Sequence, residues 1–323
     1  MKNSAIVRIV IWSAVIVLLI VAAVMMWGGS GWSFGGINMG SGYRYSDPSS
    51  YLIGDFSANA DTVSSISIEL TVSAFADTVS SMDIDWIAGS VTISEYDGND
   101  IKVTEDGFED EDTTMRYRIK DGKLAIRFCK SGLRFGNFFG IGNKTHEKDL
   151  TILVPKGKQF RKLDLELVSS RLDVENITAT EFDVEIVSGS VNIDNLTADD
   201  IDIEGVSGAI TLENISAGTV DIDNISGAIE FAGKVDEIDF STVSGGITAE
   251  FDQVPRAVNI DSVSGSATIR MPETGITANI DSVSASIRAF GAKFAKSGET
   301  TLGDGYMTLN VDTVSGSVEI KEK

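Results

Sequence analysis

Carboxylates dominate the side chains that could do chemistry, and their spacing is regular. Asp164, Asp183, Asp202, Asp221 and Asp239 recur at a near-constant interval, in step with Glu166, Glu185, Glu204 and Asp223, and Asp261, Asp281 and Asp312 continue the second series. Two carboxylates roughly 5 to 9 Å apart are what a glycosidase uses to protonate a leaving group and to attack or activate water. Clustered oxygens are also what calcium requires, but a dedicated loop of the form D-x-[DN]-x-[DN]-G with a distal Glu does not occur. The expectation is no dedicated cofactor or metal site, with Ca2+ only loosely held on the acidic columns.

The remaining reactive types are sparse. The single histidine, His146, lies in NKTHEKD with no G-x-S-x-G or other nucleophile motif beside it, and the single cysteine, Cys129, excludes an internal disulfide. No residue is assigned a catalytic role. Asn176, Asn195, Asn214 and Asn224 begin N-x-[ST] triplets, which read here as turn positions.

Charge is unevenly distributed. The chain carries 26 Lys and Arg against 48 Asp and Glu, a formal net charge of −22, which repels nucleic acid. Yet residues 115–162 hold 13 of the 26 bases against three acids, whereas residues 163–323 hold 29 acids against nine bases. Within the basic segment, LRFGNFFGIGNK places Phe135, Phe138, Phe139 and Ile141 between Arg134 and Lys144. Cations interleaved with aromatics suit an anionic membrane surface or a phosphate-rich wall polymer. The competing reading has the aromatics capping a core while the bases pair with the acidic run Glu105–Asp112.

Positioning such groups requires a repeated element. The phrase V-S-G-[SA]-x-x-I returns as VSGSVNI at Val187, VSGAITL at Val206, ISGAIEF at Ile225, VSGGITA at Val243, VSGSATI at Val263 and VSGSVEI at Val314, with looser copies at Ile87, Val168 and Val283. From Val168 the successive steps are 19, 19, 19, 18, 20 and 20, then 31 across an insertion. Inside each unit apolar and polar residues alternate, as in Phe182, Val184 and Ile186 against Asp183 and Glu185, so each period reads as two short strands around a glycine turn. Stacked periods predict an all-β fold, a parallel β-solenoid of about 19-residue coils. MRYRIKDGKLAIRF reads as a hairpin turning at Asp121-Gly122, and with DLTILVP it predicts an antiparallel β cap on the first coils. The charged C-terminal IKEK and the interrupted last repeat read as protection of the solenoid's end.

The N-terminus sets the expected location. Residues 9–27 run 19 positions without a charge, and a helix of that length spans about 28 Å, one membrane crossing. Lys2 and Arg8 precede it and no base follows until Arg44, so the N-terminus is expected in the cytoplasm and the remainder outside, the competing reading being a cleaved secretory signal, for which AAVMMWGGS offers a poor small-x-small site. The expected organisation is a cytoplasmic stub (1–8), a transmembrane signal anchor (9–27), a Gly/Ser-rich tether (28–50), an irregular β cap region (51–162) and β-solenoid repeats (163–323).

The order of these pieces resembles the putative-adhesin β-strand-repeat family of bacterial envelope proteins. The resemblance rests on GSVTISEYDG at Gly89, DGKLAI at Asp121, DLTILVPKG at Asp149, KLDLELVSS at Lys162, the VSG repeats, and the closing GDG at Gly303 followed by VDTVSGSVEI. It covers roughly residues 80–323 and implies a surface-exposed solenoid with no catalytic residues, connected in some anchored members with envelope stress. The expected function is a non-enzymatic, membrane-anchored envelope protein presenting a repetitive surface for adhesion or scaffolding, with wall polymer or an envelope protein as partner. The alternatives are a glycan-processing enzyme on the same scaffold and a self-assembling envelope structural protein.

Overall fold

The computed structural model describes residues 43–53, 78–107, 111–132 and 147–323, together with the strand backbone at 33–34, 37–38 and 68–72. The predicted anchor helix, residues 9–27, lies outside the described residues. Among those described, no helix is long and apolar enough to cross a membrane, and the secondary structure is strand apart from one 3-10 turn, Pro48–Ser50.

In chain order the strands are β1 (Ser33–Phe34), β2 (Ile37–Asn38), β3 (Leu52–Ile53), β4 (Ile68–Val72), β5 (Ser81–Tyr96), β6 (Ile101–Asp106), β7 (Arg116–Lys120), β8 (Lys123–Arg127) and β9 (Lys148–Pro155). They continue as β10 (Gln159–Ser207), β11 (Ile210–Ser226), β12 (Ile229–Phe251), β13 (Ala257–Met271), β14 (Ile276–Ser282), β15 (Ser286–Ala289), β16 (Ala292–Lys293), β17 (Ser297–Leu302) and β18 (Met307–Glu322). The chain divides into two compact units at Glu185/Ile186, inside β10.

In the first unit parallel and antiparallel pairing meet. β5 pairs in parallel with β8, β9 and β10, while β6 runs antiparallel to β4 and β9, and β7 antiparallel to β3 and β8. The β7–β8 hairpin closes as the sequence predicts, at Asp121 (φ 52°) and Gly122 (φ 77°). Two consecutive positive φ values match the strands' right-handed twist, which is why Asp-Gly suits this turn. Residues 43–53 lie against this hairpin: Tyr43 and Tyr51 are buried, and the Arg118 guanidinium stands 4.6 Å from the Tyr51 ring centre.

In the second unit the predicted coil step is seen directly in the register. Val191 pairs with Ile210 and Ile210 with Ile229, a step of 19 each time, and Glu237 pairs with Ala257, a step of 20, all in parallel. Alternation does the sorting: Ile201, Ile203, Val220, Ile222, Ile238 and Phe240 are buried, while Asp202, Glu204, Asp221 and Asp223 are exposed. Removing those apolar side chains from water drives the stacking at about 25 cal/mol per Å2.

Glycine is needed at the coil corner for two reasons. Gly208, Gly227 and Gly316 sit at φ near 130°, and a Cβ at these positions would meet the carbonyl oxygen of the preceding coil's glycine at 1.7, 1.9 and 1.8 Å. A second corner uses asparagine: Asn176, Asn195 and Asn214 all adopt left-handed φ of 55–58°, which Asn tolerates better than other non-glycine residues. Asn224 differs, being buried with its amide donating to the Gly208 carbonyl at 3.0 Å. The one shortened step has a local cause: the β11–β12 register slips between Leu212 and Ile215, so that Ile215 faces Gly233 and one coil loses its asparagine corner.

The expected protection of the end by IKEK is corrected. β18, which carries it, pairs with β13 on one side and with β14 and β15 on the other, so the last strand in sequence is interior to the sheet. The outermost coil is β14–β15, edged by the antiparallel strands β17 and β16.

Candidate surface-binding site

The predicted binding loop, Arg134, Phe135, Phe138, Phe139, Ile141 and Lys144, lies outside the described residues, as does His146. Its two flanks are described, and they converge on a buried clamp in the first unit. Lys148 is 1% exposed. Its ammonium donates to Glu105 Oε1, to the Thr113 carbonyl at 2.6 Å and to the Phe128 carbonyl, while the Phe128 and Trp86 ring centres stand 4.0 and 4.9 Å away. Trp86 Nε1–H donates to the Lys148 carbonyl at 2.9 Å, and Glu105 accepts from the Met115 N–H at 2.9 Å. Three donors meet three acceptors, which is what makes a buried ammonium tolerable. Burial still acts on both partners, pulling Lys148 below and pushing Glu105 above their ordinary ranges, each opposed by the other's charge.

This clamp was not legible in the sequence. Lys148, Arg116 and Arg127 belong to the basic segment 115–162, and all three are buried. The expected pairing with the acidic run does occur, through Lys148–Glu105 and through Lys130–Asp112 at 2.8 Å. The thiol of Cys129 beside the clamp is pushed up to about 12, chiefly by burial, which leaves it unreactive at neutral pH.

The acidic columns stand as predicted within each unit. In the first they begin earlier than the sequence reading placed them, since Asp83 pairs with Asp164 and Asp85 with Glu166. β8 supplies the counter-charge: Arg127 reaches Asp83 at 2.6 Å and Asp85 at 3.2 Å, and Lys123 also meets Asp83. Burial works against Asp83, but hydrogen bonds and charge from Arg127 and Lys123 outweigh it and hold the group below the usual carboxylate range. Deeper burial wins at Asp85, pushed up to about 7 despite Arg127. Glu166 is pushed up to about 8 by burial and then by Asp85, Glu185 and Asp164, and its Oε2 meets no donor among the described residues.

In the second unit Asp202, Asp221 and Asp239 are paired neighbours, and Asn259, Asn310 and Asn279 continue the row. There amides replace charge: Asn259 donates to Asp239, Asn310 to Asn259 at 2.6 Å and Asn279 to Asn310 at 2.9 Å. The second row runs Glu204, Asp223, Ser241, Asp261, Asp312 and Asp281. Partial withdrawal from water, then neighbouring carboxylates, push Asp221 up to about 7 and Asp261 up to about 6. An open trough of about 350 Å3 lies across three coils, lined by Asp200, Asp202, Thr219, Asp221, Glu237 and Asp239. Among the described residues no group of three or more His, Cys, Asp or Glu side chains is arranged to hold a metal ion.

The solved structures that match share little sequence with this chain. One is described as a putative lipid binding protein from Parabacteroides distasonis, 12% identical, covering 80% of this chain and 98% of its own, with a TM-score of 0.48. Another is a putative adhesin from Bacteroides fragilis, 13% identical over 80% and 98% of the two chains, TM-score 0.40. A third is a putative cell adhesion protein from Clostridium sporogenes, 16% identical over 80% and 100%, TM-score 0.35. No curated protein matches the chain. The family match is extensive, running from the first residues before β5 to the last strand: over residues 79–321 the chain belongs to the Toastrack DUF4097 family.

Proposed function

We propose that this protein is a non-enzymatic, membrane-anchored component of the cell envelope, its N-terminus cytoplasmic and its β domain outside, presenting a repeated face for adhesion or scaffolding. The observation that carries the reading is the register of the outward rows. Asp202, Asp221 and Asp239 follow one another at each coil, with Glu204 and Asp223 alongside, so the surface repeats one chemical pattern at about 4.8 Å. A periodic face suits a periodic partner such as a wall polymer. At that spacing adjacent charges repel by about 0.9 kcal/mol in bulk water, so divalent cations bridging the rows to an anionic polymer would be favoured. The uncharged segment 9–27 supports the anchor, and the basic stretch around residues 134–144 supplies a second contact for anionic groups.

A glycan-processing enzyme is the second reading, favoured by the trough, where Asp221 at about 7 stands among other carboxylates. A carboxyl that holds its proton near neutral pH can serve as a general acid. Labelling tests the topology that both readings share, and glycan turnover separates them. Cysteine labelling in intact cells should modify Ser4→Cys only after permeabilisation and Thr219→Cys without it. Incubation with wall glycan should release no new reducing ends, whereas turnover lost in Asp221→Asn would establish the enzyme.

A further inference from the structure

The C-terminal strand occupies a place that the repeat pattern does not reserve for it. In chain order the coil after β13 is β14–β15. Thr277 follows Ala257 by a step of 20, and Ser286 follows Ser266 by the same step, which is also the step by which Ala257 follows its partner Glu237 and Ser266 its partner Gly246. In space β18 stands between these consecutive coils. It pairs with β13 through Ala257↔Thr308 and Ser266↔Ser317, and with β14 and β15 through Thr277↔Thr308 and Ser286↔Ser317. Each of these β18 residues therefore bridges two positions one natural step apart: Val311 joins Ile260 to Ile280, and Asn310 joins Asn259 to Asn279.

β13 and β14–β15 thus keep the register in which they would pair directly, apolar residues inward and asparagines outward. We propose that β18 is an intercalated strand, and that the protein has a second folded arrangement in which β13 stacks directly on β14–β15 with residues 307–323 released. Intercalation adds one parallel ladder and buries Met307, Leu309, Val311, Val318 and Ile320, so it is the ground state. The fit is close, because Gly316 passes the Gly265 carbonyl where a Cβ would approach to 1.8 Å. A side chain at Gly316 therefore strains the seat of β18 against β13, as it would at any other corner of the stack.

The test uses the full chain with Asn259→Cys and Asn279→Cys. With β18 in place the two positions are two strand spacings apart, about 9.6 Å, beyond the roughly 7 Å that a disulfide spans. With β18 released they are about 4.8 Å apart. Under mild oxidation the cysteine pair alone should give little 259–279 disulfide, while the same pair with Gly316→Val, or with Val311→Asp and Val318→Asp, should convert almost completely. Strand circular dichroism should persist in those backgrounds. A folded background that forms no 259–279 disulfide would overturn the proposal, as would loss of strand signal in both backgrounds or equally fast cross-linking with and without the β18 substitutions.

Discussion

Replacing Lys148 by Met tests the buried clamp, because it removes the ammonium while keeping most of the side chain's volume. The substitution leaves Glu105, itself buried, without its counter-charge, and strips the Thr113 and Phe128 carbonyls of their donor. Breaking a buried ion pair from one side costs about 3–5 kcal/mol, because the abandoned charge stays out of water. At about 2–4 °C per kcal/mol for a domain of this size, thermal unfolding should fall by about 6–20 °C. Glu105→Gln added to Lys148→Met should restore most of that loss, since the amide still accepts from Met115 N–H and the pair leaves no charge of its own behind. Urea unfolding of the single and double variants supplies the values. A Lys148→Met chain within about 1 kcal/mol of the parent would show that the ammonium is not held as described.

Acidification should stabilise the chain before it destabilises it. Asp85 and Asp221 at about 7, Glu166 at about 8 and Asp261 at about 6 all lie above the ordinary carboxylate range, near 4 in an unfolded chain. The folded state therefore holds protons that the unfolded chain has released, so the urea midpoint should rise as pH falls from about 8 to about 5. Asp83, held below the ordinary range, reverses the trend at lower pH; a midpoint that falls steadily from pH 8 to 5 would contradict the carboxylate environments. At the coil corners, Gly208→Val places carbon 1.7 Å from the Gly189 carbonyl oxygen and should cost several kcal/mol, whereas Gly246→Ala, with open space around it, should stay within about 0.5 kcal/mol. Equal unfolding midpoints for the two would remove the steric account of the corner.

Much of the fold was legible because it is periodic. Alternation placed Ile203 and Ile222 inside and Asp202 and Asp221 outside, the VSG phrase located the corners, and Asp121-Gly122 located the hairpin. The stacking order was not legible, since β14–β15 and β18 carry similar repeats, and β18 pairs with β13 on one side and with β14 and β15 on the other. Asp83 and Asp85 were missed as the start of the acidic columns because their partners, Asp164 and Glu166, lie far along the chain, beyond the β7–β8 hairpin and β9. The burial of Lys148 is not legible in sequence for a chemical reason: only three-dimensional convergence of Glu105, Thr113 and Phe128 makes a buried ammonium possible. The predicted loop residues 134–144 rest on composition alone.

Binding by the full chain in nanodiscs of zwitterionic lipid, measured against purified wall polymer with and without calcium, tests the central claim most directly. Saturable, salt-sensitive binding is expected, strengthened by calcium and falling at least tenfold when Phe135, Phe138 and Phe139 are changed to Ser, about 1.4 kcal/mol or more, without change in the thermal midpoint. Absence of binding to the polymer under either condition would contradict it and point to a protein partner, and binding unaffected by the three substitutions would remove the aromatic loop from the site.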